Sequence, residues 1–275
     1  MDNRIKREHT KKGTLIAAHR GVAGGNIPFN TISAFEAALI QGADILETDV
    51  IKSVDGEIFI FHVRHEKNHL NRNINLCGMT SDEIKMERYV NYDNNITDCA
   101  IPTLTQVLEQ FKDRCLINLD HIWEGCFKET VDIVRYHNMV DQIIIKTPPK
   151  IQYLKMVEEL APDFMYMPII KEKDEISEII ESMDINFVGA ELVFACDSSP
   201  VIQLEQIEKY IAKGLILWGN AILYDYKVPL SADHTDDIAV QGEFDTGWGW
   251  FPDNGFHIIQ TDWPMMLKQY LSKRN

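Results

Sequence analysis

Apolar runs of strand length alternate with stretches of helical periodicity from one end of the chain to the other. Strands that alternate with helices favour a mainly parallel sheet, because a helix must carry the chain back to the edge where the next strand begins. The alternation predicts eight strands, at residues 14–18, 43–50, 114–119, 142–146, 164–168, 185–190, 215–218 and 256–260.

Helix start signals separate several of these strands. Thr103 and Gln106 form a capping box in front of a helix with apolar residues at helical spacing, and Asn30 or Thr31 caps another helix that Gly42 closes. Eight strand–helix units in about 270 residues predict the α/β class and a (β/α)8 TIM barrel, in one domain over residues 1–275. An open, doubly wound sheet is the alternative.

One interruption follows the second strand. The chain continues through KSVDGEIFIFH, where Asp55-Gly56 is a hairpin signal that returns an extended segment to His62. A polar, Asn-rich stretch then runs from Val63 to about Ala100. We therefore expect an inserted arm or cap, at about residues 51–100, over one mouth of the barrel.

Composition and charge limit the classes of partner. The chain is 45% hydrophobic and 25% charged, as in ordinary globular proteins, and its formal net charge is −15. Because the protein is so acidic, electrostatic attraction does not steer it toward nucleic acid or an anionic membrane. We therefore expect neither as a partner. No apolar run reaches 18 residues, and the five scattered cysteines lack a C-x-x-C pair. These features predict a cytoplasmic protein with reduced thiols, and they leave the oligomeric state open.

Polar side chains gather where the predicted strands end, which is where barrel enzymes place their active sites. These residues are His19, Arg20, Glu47, Asp49, His62, Asp120 and Lys146. Glu47 and Asp49 are two apart in an extended segment, so their carboxylates share one face and repel each other. With Asp120 they offer hard oxygen ligands suited to Mg²⁺ or Ca²⁺. Either of the first two alone is as well explained by an arginine partner or by solvent.

The two histidines and the arginine complement this predicted metal site. A lone histidine is more often structural than catalytic, but His19 and His62 together supply one group to take a proton and another to give one. Arg20 is suited to bind a phosphate, and the cation would neutralise the negative charge that develops there during the reaction. This combination is what cleavage of a phosphodiester requires.

An ordered series of motifs spans nearly the whole chain and carries a family resemblance. The motifs are AHRG at 18–21, Pro28 with Asn30-Thr31, AFEAAL at 34–39, GADILETDV at 42–50, DGEIFIFH at 55–62, IPTLTQVL at 101–108, NLD at 118–120, LWGN at 217–220 and TDWP at 261–264. By this series the chain resembles the glycerophosphodiester phosphodiesterases, which belong to the phosphatidylinositol-specific phospholipase C-like barrels.

The resemblance implies a fold, an activity and residue roles. It implies a metal-dependent hydrolysis of small glycerophosphodiesters to an alcohol and glycerol phosphate, with attack by the glycerol 2-hydroxyl and a cyclic phosphate on the path. His19 and His62 look like the acid–base pair and Arg20 like a phosphate ligand. The metal ligands implied are Glu47, Asp49 and Asp120.

The sequence departs from the family pattern at four positions, and one of them is Asp120, where a glutamate, longer by one methylene, is usual. Phe29 stands where the family usually has a glutamate, and Val63 follows the second histidine where an aspartate is usual. Ile122 stands where a lysine is usual, which removes a cation from beside the phosphate. Lys146, at the end of the next strand, is a candidate to replace it and is equally well explained as an ordinary strand-end lysine. His121 is a second candidate, although its side chain should alternate away from that of Asp120.

A long connection follows the seventh strand, from Ser231 to Trp250, and is expected to cover the same mouth of the barrel. His234 and Trp248 there, with Trp218 on the strand before it, are candidates to recognise the alcohol part of the substrate, as are Asp236, Asp237 and Trp250. The tryptophans are equally well explained as structural anchors. Asp262 either bonds the His19 region or caps the next helix.

Two other functions remain open. One is a phosphodiesterase or cyclising lyase for a different polar diester, such as a sugar or inositol diester, because the departures concentrate where the substrate would lie. The other is a catalytically silent binding barrel, which the retention of both histidines, Arg20 and all three carboxylates disfavours.

Overall fold

Eight parallel strands close into a barrel in the computed structural model, which describes residues 3–225 and 227–274. The sheet closes because the first strand pairs with both the second and the last barrel strand. The barrel strands are Leu15–His19 (β1), Ile45–Lys52 (β2), Leu116–Asp120 (β6), Ile143–Thr147 (β7), Met165–Lys171 (β8), Gly189–Val193 (β9), Ile216–Asn220 (β10) and Ile258–Thr261 (β13). The predicted (β/α)8 TIM barrel is confirmed, and the open sheet is excluded.

Most of the helices follow a barrel strand and cover the outside of the sheet; the first helix precedes the first strand, and the third and fourth lie in the segment after β2. The helices are Arg4–Lys12 (α1), Ile32–Ile40 (α2), Glu66–Leu70 (α3), Ser81–Met86 (α4), Leu104–Phe111 (α5), Phe127–Tyr136 (α6), Ile151–Leu160 (α7), Ser177–Glu181 (α8), Leu204–Ala212 (α9), Asp236–Val240 (α10), Trp250–Asp253 (α11) and Pro264–Arg274 (α12). Three 3-10 turns lie at Leu76–Gly78, Val140–Gln142 and Pro200–Ile202, and a π-helical turn at Asp245–Gly249. No helix in the described part of the chain is both long and apolar enough to span a bilayer.

The interior of the barrel is apolar toward one end and polar toward the other. Alternate side chains along each strand point inward, so Leu15 and Ala17 on β1 and Ile45 on β2 join a buried apolar cluster at the amino end of the strands. Ile5 of α1 belongs to the same cluster and is fully buried. Further along the same strands, the inward positions carry the charged residues of the site.

The segment after β2 forms a small layer with its own core. Asp55-Gly56 makes the expected turn, with Gly56 at a φ of 94°, and β2 pairs with Ile58–Ile60 (β3) in antiparallel fashion. Strands Arg88–Val90 (β4) and Ile96–Ala100 (β5) form a second antiparallel pair. The core of this layer contains the buried residues Ile51, Phe59, Phe61, Leu70, Leu76, Ile84, Tyr89 and Ile101.

The helix caps follow the sequence signals. Thr103 and Gln106 form both hydrogen bonds of the capping box, and Thr31, rather than Asn30, caps α2. Strand ends are less well predicted: the sixth barrel strand spans Gly189–Val193 rather than 185–190, and the fifth runs three residues past Pro168.

The connection from Ser231 to Trp250 is more compact than a covering loop. It contains α10 and the π-helical turn, and Trp248 is fully buried with its indole nitrogen donating to Asp236. The mouth is bordered instead by the segment just before it, where Leu223–Tyr224 (β11) and Val228–Pro229 (β12) form a two-stranded hairpin.

Candidate active site

A cavity of about 360 Å³ opens at the carboxyl ends of the barrel strands. Six of the predicted site residues line it together: His19, Arg20, Glu47, Asp49, His62 and Asp120. The parallel register explains this convergence, because His19 lies level with Glu47, and Asp49 lies level with Asp120.

The three carboxylates form a buried cluster. One oxygen from each of Glu47, Asp49 and Asp120 lies within 4.8 Å of the others. Burial, and then repulsion from Asp49 and Asp120, raises the pKa of Glu47 well above its ordinary value, and burial also raises the pKa of Asp120. Burial opposes the charge of Asp49 as well, but Arg20 and the nearby histidines outweigh it and lower the pKa of Asp49. A divalent cation with oxygen ligands fits this cluster, because it removes the mutual repulsion.

Arg20 and Asn30 hold the Asp49 carboxylate from the side of the β1–α2 loop. Arg20 Nε lies 3.0 Å from Asp49 Oδ2, and Asn30 Nδ2 lies 3.4 Å from the same oxygen. Thr48 in turn donates to Asn30 Oδ1 at 2.9 Å, which fixes the amide orientation. Arg20 and Asn30 both have a positive φ, of 57° and 58°, so this loop takes its shape from two left-handed residues.

A carboxylate orients the first histidine. His19 Nδ1 lies 2.9 Å from Asp262 Oδ1, and the backbone N–H of Asp262 donates to Asp236 Oδ2 at 2.7 Å. Asp236 also accepts hydrogen bonds from Trp248 Nε1 and Thr261 Oγ1, so it is held from three sides. Of the two roles considered for Asp262, the structure places it on His19. His19 Nε2 is therefore the ring nitrogen left for chemistry.

A backbone carbonyl orients the second histidine. His62 Nδ1 donates to the carbonyl of Val63 at 2.8 Å. The valine side chain cannot accept a hydrogen bond as the usual aspartate could, and the main-chain carbonyl of the same residue is the acceptor instead. Glu66, the nearest acidic residue along the chain, instead accepts from the backbone of Leu76. Because a carbonyl only accepts, the neutral His62 ring has its unprotonated nitrogen at Nε2. Burial lowers the pKa of His62 to about 3.

His121 enters the cavity, contrary to the expected alternation. Its backbone is left-handed, with a φ of 58°, so the strand ends at Asp120 and the next side chain does not turn outward. His121 Nδ1 lies 3.1 Å from Glu124 Oε1, and Nε2 lies 3.9 Å from Asp49 Oδ1. Burial opposes its charge, but Asp120, Asp49 and Glu124 together raise the pKa of His121. Ile122, by contrast, is fully buried in the core outside the sheet.

Lys146 is paired with another carboxylate, that of Glu191 on β9. Its ammonium lies 2.6 Å from Glu191 Oε2 and 3.3 Å from the centre of the Trp218 ring, and the side chain is almost fully buried. Asn220 donates to the other oxygen of Glu191, and Trp218 donates to Gln260. Neither Lys146 nor Trp218 is among the residues that line the cavity. Substrate contact by these two residues stays a prediction that their placement does not support.

His234 and Trp248 also lie outside the cavity lining. The His234 ring stacks on Trp250 at 4.0 Å between centroids, and its two nitrogens contact the carbonyl of Thr246 and the carboxylate of Asp197. Trp248 is held by Asp236, as described above. The structural explanation for the tryptophans therefore fits better than substrate recognition.

The cavity has other lining residues that sequence reasoning missed: Arg64, Trp123, Lys171, Glu191, Asn220 and Tyr224. Lys171 and Glu191 lie beyond the predicted ends of their strands, so the short strand predictions concealed them. Arg64 comes from an irregular segment and Tyr224 from the two-residue strand β11, and both segments are too short or irregular for a periodic signal to mark a side chain as facing the site.

Comparison with protein families gives one match over most of the chain. The model of the glycerophosphoryl diester phosphodiesterase family matches residues 19–217. A second model, described as a domain of unknown function, matches residues 166–271. The matched region of the first begins at His19 and includes all of the cavity-lining acidic and histidine residues named above.

Curated relatives show the same likeness over part of their length. A glycerophosphodiester phosphodiesterase of Caldanaerobacter subterraneus subsp. tengcongensis is 29% identical over 156 residues, which are 54% of this chain and 63% of that protein. One from Bacillus altitudinis is 32% identical over 146 residues, 49% of this chain and 58% of that protein. The chain thus matches about 60% of the length of these relatives.

Solved structures share the fold at low sequence identity. A glycerophosphoryl diester phosphodiesterase from Parabacteroides distasonis has a TM-score of 0.76 at 20% identity, over 95% of this chain and 87% of that one. A phosphodiesterase of Oleispira antarctica, solved with the product sn-glycerol-3-phosphate, has a TM-score of 0.70 at 18% identity, over 94% and 96%.

Proposed function

The chain belongs to the glycerophosphoryl diester phosphodiesterase family, and on that premise we propose that it hydrolyses glycerophosphodiesters to an alcohol and glycerol phosphate. The observation that carries the proposal is the single cavity shared by two oriented histidines, an arginine and three buried carboxylates. Relatives named for this activity, and a structural neighbour solved with a glycerol phosphate product, support the substrate class.

We propose that Glu47, Asp49 and Asp120 hold the divalent cation. Their oxygens lie close enough to share one ion, and hard carboxylate ligands favour Mg²⁺ or Ca²⁺. When bound, the cation supplies charge neutralisation at the phosphate. Arg20 lines the same cavity and is the proposed cationic partner of the phosphate from the protein.

The two histidines have different partners, which supports different roles. In the proposed first step, Nε2 of His62 takes the proton of the glycerol 2-hydroxyl, whose oxygen attacks phosphorus. His19 Nε2 gives a proton to the departing alcohol oxygen, and Asp262 stabilises the charge that His19 carries beforehand. The product of this step is a cyclic phosphate. In the second step His19 takes a proton from water, the water oxygen opens the ring, and His62 returns its proton to the 2-oxygen.

The net charge of the protein limits the classes of partner that we propose. With a net charge of −15, the proposed partner is a small phosphodiester and neither nucleic acid nor an anionic membrane surface. A cytoplasmic location is likewise proposed, on the cysteine usage described above, and all five cysteines are free.

The proposal is tested by incubating the protein with glycerophosphodiesters of choline, ethanolamine and inositol, in Mg²⁺, Ca²⁺ or EDTA, and following phosphorus NMR. We expect glycerol phosphate to form in at least one metal and not in EDTA. A cyclic phosphate that persists would indicate a cyclising lyase instead. Absence of turnover for every diester and metal would contradict the proposed activity.

A further inference from the structure

We propose that the cavity contains a second divalent-cation site, formed by Asp49, His62 and His121, which binds a borderline cation such as Zn²⁺ and inhibits the enzyme when filled. The inhibitory part rests on the proposed function, because it assumes that His62 transfers a proton. The binding part stands on geometry alone.

The three side chains already converge on one point. One ligand atom from each of Asp49, His62 and His121 lies within 4.8 Å of the others, and His121 Nε2 lies 3.9 Å from Asp49 Oδ1. The His62 and His121 rings also meet edge to face, with centroids 5.0 Å apart. A cation between them needs only a small inward movement of each side chain to reach coordination distances of about 2.0–2.2 Å.

Hydrogen bonds hold Nδ1 of both imidazoles, which is the arrangement that metal ligation through Nε2 requires. His62 Nδ1 donates to the carbonyl of Val63, and His121 Nδ1 lies in hydrogen-bonding contact with the Glu124 carboxylate. Each ring therefore leaves Nε2 as its free nitrogen on the cavity side. A carboxylate or carbonyl behind a histidine is also the usual outer partner of a metal-bound imidazole, where it fixes the ring and increases its basicity.

The local backbone places His121 for this role. The left-handed conformation of His121 ends β6 and directs its ring toward Asp49, and the ring stacks on Trp123 with centroids 5.0 Å apart. Trp123 thus holds the ring face of His121, and Glu124 holds its Nδ1 edge. The side chain is 17% exposed, so an ion from solvent reaches it without any opening of the fold.

The two candidate sites differ in ligand chemistry while sharing Asp49. Three carboxylates favour a hard cation, whereas two imidazoles and one carboxylate are a ligand set typical of Zn²⁺. Mg²⁺, which binds imidazole weakly, would leave the second site to the softer ion. The structure therefore assigns different metals to neighbouring positions in the cavity.

A cation at the second site removes a group that the proposed reaction uses. Coordination occupies Nε2 of His62, so that nitrogen no longer accepts the proton of the attacking hydroxyl. It also draws on Asp49, which belongs to the first site. We therefore expect Zn²⁺ to inhibit turnover even when Mg²⁺ is saturating.

Binding is tested by equilibrium dialysis of Zn²⁺ in saturating Mg²⁺, with wild type, His121→Asn and Glu124→Gln. His137→Asn is the matched control, because His137 lies at the end of α6 and outside the cavity lining. We expect at least about tenfold weaker Zn²⁺ binding in His121→Asn, a smaller loss in Glu124→Gln, and no change in the control. Equal binding by wild type and His121→Asn would overturn the proposed site.

A spectroscopic measurement excludes binding to the free cysteines, of which Cys196 is exposed. Co²⁺ at the proposed site should give visible d–d bands without a sulfur-to-cobalt charge-transfer band, and His121→Asn should abolish those bands. A charge-transfer band that survives in His121→Asn would place the ion on a thiolate and contradict the proposal.

Inhibition is measured as the Zn²⁺ concentration that halves the turnover of each variant, relative to its own rate without Zn²⁺. We expect this concentration to rise at least about tenfold in His121→Asn. If the wild type turns over no diester, the proposed function fails, and the dialysis and cobalt measurements still decide the site. Turnover that is equally sensitive to Zn²⁺ in both proteins would contradict the inhibitory role.

Discussion

A single backbone conformation decides which side chains after β6 reach the cavity. Strand alternation predicts that His121 points away from Asp120, yet the left-handed φ of His121 ends the strand and admits the ring to the cavity. The same turn leaves Ile122 in the core. Position 122 is the one at which the family usually has a lysine. The sequence marks His121 as a candidate but does not show its backbone angle, and only the folded structure reveals that His121 rather than Lys146 lines the cavity.

For Lys146 the position was predictable from the sequence, but its ion-pair partner was not. The sequence places it correctly at an inward position of β7, but its ion-pair partner, Glu191, comes from a strand 45 residues away. A period-two pattern indicates which face a residue occupies and not which neighbour neutralises it. For this reason the six charged and histidine residues that line the cavity together were predictable, whereas the pairings among residues deeper in the barrel were not.

Asp262 provides a test at the scale of one residue. We expect Asp262→Ala to lower kcat about 100-fold with little change in KM, because His19 loses the partner that orients its ring and stabilises its positive charge. Asp262→Asn should retain more activity, because its amide oxygen can still accept from Nδ1. Steady-state kinetics of both variants checks this expectation.

The exposed residue Asp141, which lies outside the cavity lining, supplies the control. Asp141→Ala should leave both kinetic constants within about twofold of wild type, since surface substitutions away from such contacts have small effects. Equal kcat values for Asp262→Ala and Asp141→Ala would show that Asp262 does not act on His19.

At the scale of elements, the strands and helix caps follow from the sequence, and their ends follow less well. Thr103 and Thr31 cap their helices through local hydrogen bonds, which a short sequence window is enough to reveal. The start of β9 at Gly189 depends on pairing with β8 and β10, which no local pattern contains. Lys171 and Glu191 were missing from the predicted site because the predicted strands end before these residues.

His257 joins two strand ends and predicts a pH dependence of stability. Its Nδ1 accepts a hydrogen bond from the backbone N–H of Leu217 at 3.0 Å, which only an unprotonated nitrogen does. Burial, and then the neighbouring His9, lowers the pKa of His257 to about 4. The unfolded chain therefore binds a proton at higher pH than the folded one, so stability is lost as the pH falls from about 6.5 toward 4.

The substitution His257→Gln isolates this contribution, because the glutamine oxygen can accept from Leu217 without titrating. We expect the wild type to lose about 2 kcal/mol more unfolding free energy than His257→Gln between pH 7 and pH 4, measured by urea denaturation. His137→Gln is the control and should follow the wild type. Parallel pH profiles for wild type and His257→Gln would contradict the assignment.

At the scale of the whole molecule, the barrel was predictable because the strand–helix alternation extends over the full chain. The layer after β2 was also indicated, by a turn signal at Asp55-Gly56 and a polar composition. Its buried cluster around Phe59 and Tyr89 was not, because those contacts join residues far apart in sequence. One domain over residues 1–275, with an insertion at about 51–100, stays a prediction.

The closed barrel also explains how side chains from distant parts of the sequence come to line one cavity. Parallel strands deliver their carboxyl ends to one rim, so side chains up to 243 residues apart, such as His19 and Asp262, come into contact. Apolar side chains fill the barrel below this rim, and they leave the charged groups nearer to solvent at its mouth.

We propose that this cavity cleaves glycerophosphodiesters through His19 and His62. The most direct measurement is the rate of glycerol phosphate release in Mg²⁺ or Ca²⁺ by wild type, His19→Ala and His62→Ala, with circular dichroism confirming that all three are folded. The account predicts turnover by the wild type and a loss of about 1,000-fold or more in each variant. Folded variants that release glycerol phosphate at the wild-type rate would contradict it.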